Sequence, residues 1–193
     1  MLRSLLSALM LMFLAPFAAP QTAATTPKAK EPMDTVLVFG DDFLFSLKEP
    51  DGWHCVCDER AMQYGVNAVV FPSAPDSRAH HLMIRIRVNK KSDENTALDL
   101  KADMQDYKQK YPNVEFAALD LSHPEYKTYT KVFQFPDGFH DYVAYINSGP
   151  QTWFTLSVSM TTEKLPATPD ELAAFKKVVQ SLRIFTNDPR RPH

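Results

Sequence analysis

The 193-residue chain holds only two cysteines and five glycines, and no apolar run beyond its first twenty positions is long enough to span a membrane. Two cysteines do not make a disulfide framework, so stability must come from a buried core. So few glycines leave no phosphate-cradling loop: neither G-x-x-x-x-G-K nor G-x-G-x-x-G occurs. His-Glu-x-x-His and EF-hand patterns are absent too, and no G-x-S-x-G elbow surrounds Ser157 or Ser159. The chain also lacks an excess of one charge. Its formal net charge is −2, which argues against a nucleic-acid partner, since that needs a concentrated positive field. The closing Arg190-Arg191-Pro192-His193 is too short to change this. There is no internal repeat and no Asn-x-Ser/Thr acceptor.

What the chain does have begins with an export signal. Arg3 supplies a positive start, residues 5–19 an apolar stretch, and small residues follow around 18–24. Pro20 disfavours cleavage after Ala19, which makes Ala23 or Ala24 the expected last residue of a 1–24 signal peptide. The apolar stretch is shorter than the ~20 residues of a spanning helix, so no membrane span is expected after its removal. Its loss takes away Arg3 and no acid, leaving the mature chain one charge more negative. The protein is therefore expected to be periplasmic or secreted. Residues 25–34, rich in Thr, Pro, Lys and Ala, read as a flexible linker, residues 35–188 as a single α+β domain, and residues 189–193 as a disordered tail.

Two stretches organise the domain. Residues 139–160 form an apolar hairpin: an aromatic and β-branched arm ending at Ile146, the turn Asn147-Ser148-Gly149-Pro150, and an arm in which Phe154, Leu156, Val158 and Met160 alternate with Thr155, Ser157 and Ser159. Near the end, Thr168 as N-cap, Pro169 at the first helical position and Glu171 completing a capping box start a helix. Leu172, Phe175, Val178, Val179 and Leu182 form its apolar face. Earlier, residues 36–39 and 43–47 flank Gly40-Asp41-Asp42 as an opening hairpin, and Glu49-Pro50-Asp51-Gly52 makes a turn. Residues 53–57 continue as a strand, 59–64 as a helical turn stopped by Gly65, and 66–71 as a strand closed by Pro72. Residues 73–81 have the composition of a mobile loop. In 82–88, Leu82, Ile84, Ile86 and Val88 alternate with Met83, Arg85 and Arg87. Thr96 and Asp99 form a capping-box pattern before a helix striped by Leu100, Met104, Tyr107 and Tyr111 and ended by Pro112. Residues 114–121 and 126–135 read as further strands. Hairpin-linked strands with one internal and one terminal helix predict an antiparallel sheet with helices packed on it.

Three stretches together carry a family likeness. They are Pro50-Asp51-Gly52-Trp53 with Asp58, Tyr64-Gly65 and Ala68-Val69-Val70-Phe71-Pro72; the Tyr142-Val143-Ala144-Tyr145-Ile146 strand with its partner; and the closing Phe175-Lys176-Lys177-Val178-Val179-Gln180-Ser181-Leu182-Arg183. This arrangement, covering about residues 35–185, resembles the secreted bacterial proteins of PsbP/Mog1-like type. The resemblance implies a central antiparallel sheet sandwiched by helices and a non-enzymatic role in binding other proteins. It supplies no residue-level binding motif, and Cys55-Val56-Cys57 departs from the aliphatic residues expected there.

Reactive residue types gather only at Trp53-His54-Cys55-Val56-Cys57-Asp58. On a strand, Cys55 and Cys57 share a face. As soft and borderline ligands, His54, Cys55 and Cys57 are the metal candidates, needing a further ligand from His80, His81, His123 or His140. A Cys55–Cys57 disulfide would be strained, no helix N-terminus activates either thiol, and two thiols packed in a core strand is the plainer expectation. No catalytic residue and no cofactor are expected. Arg85 and Arg87, followed by Lys90 and Lys91, form a possible anion strip or else a solvated face. The aromatics from Tyr126 to Phe154 line either an apolar groove or the core. The expected function is an exported binding module for an unknown protein partner or small ligand. The alternatives are a thiol- or metal-dependent redox protein using His54, Cys55, Cys57 and Asp58, and a carrier of an apolar small molecule.

Overall fold

A computed structural model describes residues 34–73, 82–91, 96–150 and 152–185. The expected signal peptide, the linker as far as residue 33, the loop at 74–81 and the tail lie outside the described residues.

The opening hairpin forms as β1 (Thr35–Phe39) and β2 (Leu44–Lys48), paired antiparallel from Thr35↔Lys48 to Phe39↔Leu44. The next turn carries Gly52 at φ 75°, and the Trp53 N–H donates to the Pro50 carbonyl at 3.0 Å. It leads into β3 (Trp53–Val56) and the single-turn helix α1 (Glu59–Gln63). Asp58 caps α1 by accepting from the Arg60 N–H, and Gly65 at φ 67° stops it in the left-handed conformation that glycine adopts without strain. β4 (Ala68–Pro72) starts two residues later than the sequence suggests and keeps Pro72 opposite Trp53 of β3. β5 (Ile84–Lys90) and α2 (Thr96–Lys110) follow, then β6 (Glu115–Ala117), β7 (Lys127–Gln134), β8 (His140–Asn147), β9 (Phe154–Thr162), α3 (Pro169–Ser181) and β10 (Arg183–Ile184).

The fold class is α+β with antiparallel sheets. Seven strands form one sheet in the order β3-β4-β5-β9-β8-β7-β6. The expected single sheet is corrected in one respect: β1, β2 and β10 make a second, three-stranded sheet. The chain leaves the terminal helix straight into β10, which lies against β2 through Arg183↔Ser46 and Ile184↔Phe45.

Period-2 alternation divides the apolar residues between clusters. On β8, Tyr142, Ala144 and Ile146 join a core with Ile84, Ile86, Leu156 and Val158, against Phe175, Val178, Val179 and Leu182 of α3 and Phe45 and Leu47 of β2. Their neighbours Val143 and Tyr145 belong instead to a cluster with Leu100 of α2, Val114 and Phe133. A small third cluster sets Ala61 of α1 against Val66 and Val69. The expected stripe of α2 is followed in part: Leu100 is buried, Met104 and Tyr107 are partly covered, and Tyr111 is exposed.

Two further expectations fail locally. Thr96 is not an N-cap; it lies within the first turn of α2, fully buried, and its hydroxyl has no partner among the described residues. The strand expected over 114–121 shortens to β6, because beyond Ala117 the chain leaves the pairing with β7 and the Leu119 carbonyl instead accepts from the Thr130 hydroxyl at 2.7 Å. The capping box of α3 forms in full: Thr168 Oγ1 accepts from the Glu171 N–H at 3.3 Å, and Glu171 Oε2 from the Thr168 N–H at 2.7 Å.

Candidate functional site

The site grows from the polar half of the alternation in β5 and β9. With Ile84, Ile86, Leu156 and Val158 committed to the core, Arg85, Arg87, Asn89, Thr155, Ser157 and Ser159 must face the other way. Antiparallel pairing places Arg85 opposite Ser159, Arg87 opposite Ser157 and Asn89 opposite Thr155. β8 extends these rows, with Val143 beside Ser159 and Tyr145 beside Ser157, and brings Asp141 opposite Thr161. α2 closes one side with Asp99, Asp103 and Tyr107. The result is a pocket of about 410 Å³ bounded by β5, β9, β8 and α2.

Hydrogen bonds fix much of the lining. Asn89 Nδ2 donates to Ser157 Oγ at 2.8 Å, and Arg87 Nε to the Gly65 carbonyl at 3.1 Å. Arg85 Nη1 donates to Thr161 Oγ1 at 3.3 Å, and that hydroxyl donates to Asp141 Oδ1 at 3.0 Å. The Tyr145 hydroxyl donates to Asp103 Oδ2. Thr155 Oγ1 is different: the residue is wholly buried, borders the pocket, and its hydroxyl has no partner among the described residues.

The electrostatics follow from limited water. Desolvation pushes the Asp141 carboxyl up to about 6, against the pull of the Thr161 hydrogen bond and the Arg85 charge. Asp103 is raised by desolvation and by Asp106 and Asp99, with Arg87 and Lys110 opposing. The Tyr107 phenol is raised by burial and by the nearby Asp141 and Asp103. A basic strip has thus become one half of a mixed lining. Arg85, Arg87 and Lys90 border the pocket, whereas Lys91 turns away, its ammonium donating to the carbonyls of Gly149 and Thr152.

The cysteine-rich stretch builds no comparable site. Cys55 is half-buried at the edge of the main core, its N–H donating to Glu49 Oε1 at 2.6 Å. Cys57 falls just beyond β3 and is exposed, its thiol 3.8 Å from the Leu37 carbonyl oxygen, so the expectation of two packed core thiols holds for neither fully. Both cysteines are free. Burial, with lesser contributions from Cys57 and Glu49, pushes the Cys55 thiol up to about 12; burial and Asp58 raise Cys57. His54 is exposed and stacks obliquely on Phe71 with ring centres 5.8 Å apart. Asp58 pairs with Arg60 at 2.8 Å. Among the described residues, no three His, Cys, Asp or Glu side chains are grouped to hold an ion. His123 is buried and bonded to the Leu182 carbonyl at 2.9 Å, and His80 and His81 lie outside the described residues.

The aromatic series packs mainly against aromatic residues of α2, β6 and α3. Phe133 is fully buried among Tyr107 and Phe116, edge-to-face at 5.1 Å in both cases, and Tyr142 faces Phe175. Trp153 stays partly exposed, its indole N–H donating to the Asp42 carbonyl at 2.9 Å. Alternation along 82–88 marks Arg85 and Arg87, whereas Asp103, Asp141 and Asn89 stand in no chemical motif. One signal was available: Asp141 is the lone acid in an otherwise apolar arm, an unfavourable placement unless a partner or a function holds it.

No protein-family model matches this chain, and a search of curated proteins returns no match. Among the described residues, no helix is long and apolar enough to cross a membrane.

Proposed function

We propose that this chain is an exported, non-enzymatic binding module, periplasmic or secreted, whose pocket between α2 and the β5-β9-β8 rows takes a small polar ligand. The observation that carries this reading is the pocket itself: a concavity of ligand-binding size, lined by side chains already oriented by one another. A merely solvated sheet face would not need Asp141 of β8 and Asp103 of α2 drawn out of water where the helix meets the sheet. The export signal read in residues 1–24 supports the compartment. The PsbP/Mog1-like reading, with helices over both faces of the large sheet, is favoured by the split of β8 between the α3 and α2 clusters.

The test is a protein-observed NMR screen of the mature chain with small polar fragments. Amide shifts concentrated at Asn89, Asp103 and Ser157, and lost in Arg87→Gln, are expected. Fragments that leave those amides unmoved while shifting others, such as those around the exposed Leu37 and Phe39, would move the binding surface elsewhere.

A further inference from the structure

Resting on that reading of the pocket, we infer that its ligand is an uncharged saccharide, held through its hydroxyl groups by opposed guanidinium and carboxylate side chains. The first argument is the sum of the lining charges. Among the described lining residues Arg85 and Arg87 stand against Asp141 and Asp103, sign against sign, so each opposed pair cancels. An anion entering beside the arginines would also meet these carboxylates; a cation beside the carboxylates would meet the guanidinium groups.

The second argument is their arrangement. A zwitterion wants its two partners gathered at separate ends of a cavity, whereas here the signs alternate. Arg85 opposes Asp141 with the Thr161 hydroxyl between them. Arg87 shares its cross-strand row with Ser157 and Tyr145, and Tyr145 donates to Asp103. Neither opposition closes into an ion pair within 4.0 Å among the described residues. Thr161 shows what fits such a gap: a hydroxyl, which accepts from the guanidinium and donates to the carboxylate at once. A carboxylate ligand supplies only acceptors and an ammonium only donors. A sugar ring supplies several hydroxyls at fixed spacing.

Two observations agree. The Thr155 hydroxyl, wholly buried at the pocket and unpartnered among the described residues, is a polar atom awaiting a hydrogen-bonding neighbour. Tyr107 and Val143 give the same pocket an apolar side, which suits the C–H face of a pyranose. Its volume has room for a mono- or disaccharide.

The experiment is saturation-transfer NMR and calorimetry on the mature chain at pH 7.5. Probes are glucose, galactose, mannose, maltose and cellobiose, beside glucuronate, galacturonate, glucosamine and inorganic phosphate. At least one neutral saccharide is expected to bind, with its charged counterpart roughly tenfold weaker or worse. Arg87→Gln and Asp103→Asn should each weaken that binding about tenfold, with Ser157→Ala as a milder third variant and thermal unfolding as the folding control. If phosphate or a uronate binds through Arg87 and no neutral saccharide does, the inference fails while the pocket reading stands. Saccharide binding indifferent to all three variants places the sugar elsewhere and also overturns it. If no probe of any class perturbs the pocket, both readings fall.

Discussion

Burial holds the Asp141 carboxyl at about 6, against an ordinary 3.8, and the sign of the consequence is fixed. Between those values the folded chain keeps a proton that the unfolded chain has released. The group's contribution to stability is therefore complete below about pH 4 and is lost as pH rises through 6. Asp141→Asn keeps an oxygen to accept from Thr161 and removes the charge. Urea unfolding should find the variant more stable than the parent at pH 7.5, by on the order of 2 kcal/mol, with the gap closing towards pH 4; a gap that widens on acidification would contradict this. The cysteines give a second prediction at this scale. With both thiols raised, alkylation of the folded protein at pH 7.5 should run slower than in urea, and Cys55 should lag behind exposed Cys57. Peptide mapping of timed iodoacetamide reactions reads both rates, and a Cys55 that reacts as fast folded as unfolded would refute the burial argument.

Two threonines show why one helix start was legible in the chain and the other was not. Thr168 stands three residues before Glu171 with Pro169 between, and the structure makes both reciprocal bonds. Thr168→Ala should cost about 1 kcal/mol in chemical denaturation. Thr96 offers a similar spacing to Asp99, yet it sits in the first turn of α2 with a hydroxyl that has no partner among the described residues. Thr96→Val keeps the shape and deletes the orphan, so it should leave stability unchanged or raise it by up to about 1 kcal/mol; a clear loss would mean the hydroxyl has a partner after all. Local spacing reports what a cap can do, and the surroundings decide whether it does. The pocket was half legible for a related reason. Alternation in 82–88 marks Arg85 and Arg87 as one face, but the serines they meet lie some seventy positions onward, across the β5–β9 register. No local pattern announces that pairing.

At the scale of the whole molecule, the 139–160 hairpin was readable because one arm is rich in aromatic and β-branched residues and the other alternates apolar with polar, whereas β10 was not: two residues have no period to read. Those two residues matter to the topology. β1 and β10 flank β2 from either side, both antiparallel to it, and so run parallel to each other. The described chain enters at the foot of β1 and leaves from the head of β10. Tension between handles placed before residue 35 and after residue 185 therefore drags the outer strands lengthwise in opposite directions, loading the rungs of each ladder together. Handles on Thr35 and Lys48, which face each other across the open end of the hairpin, would peel the same β1–β2 rungs one at a time. Single-molecule pulling should need distinctly more force in the first geometry than in the second, which would make this small sheet a mechanical clasp between the two ends of the domain.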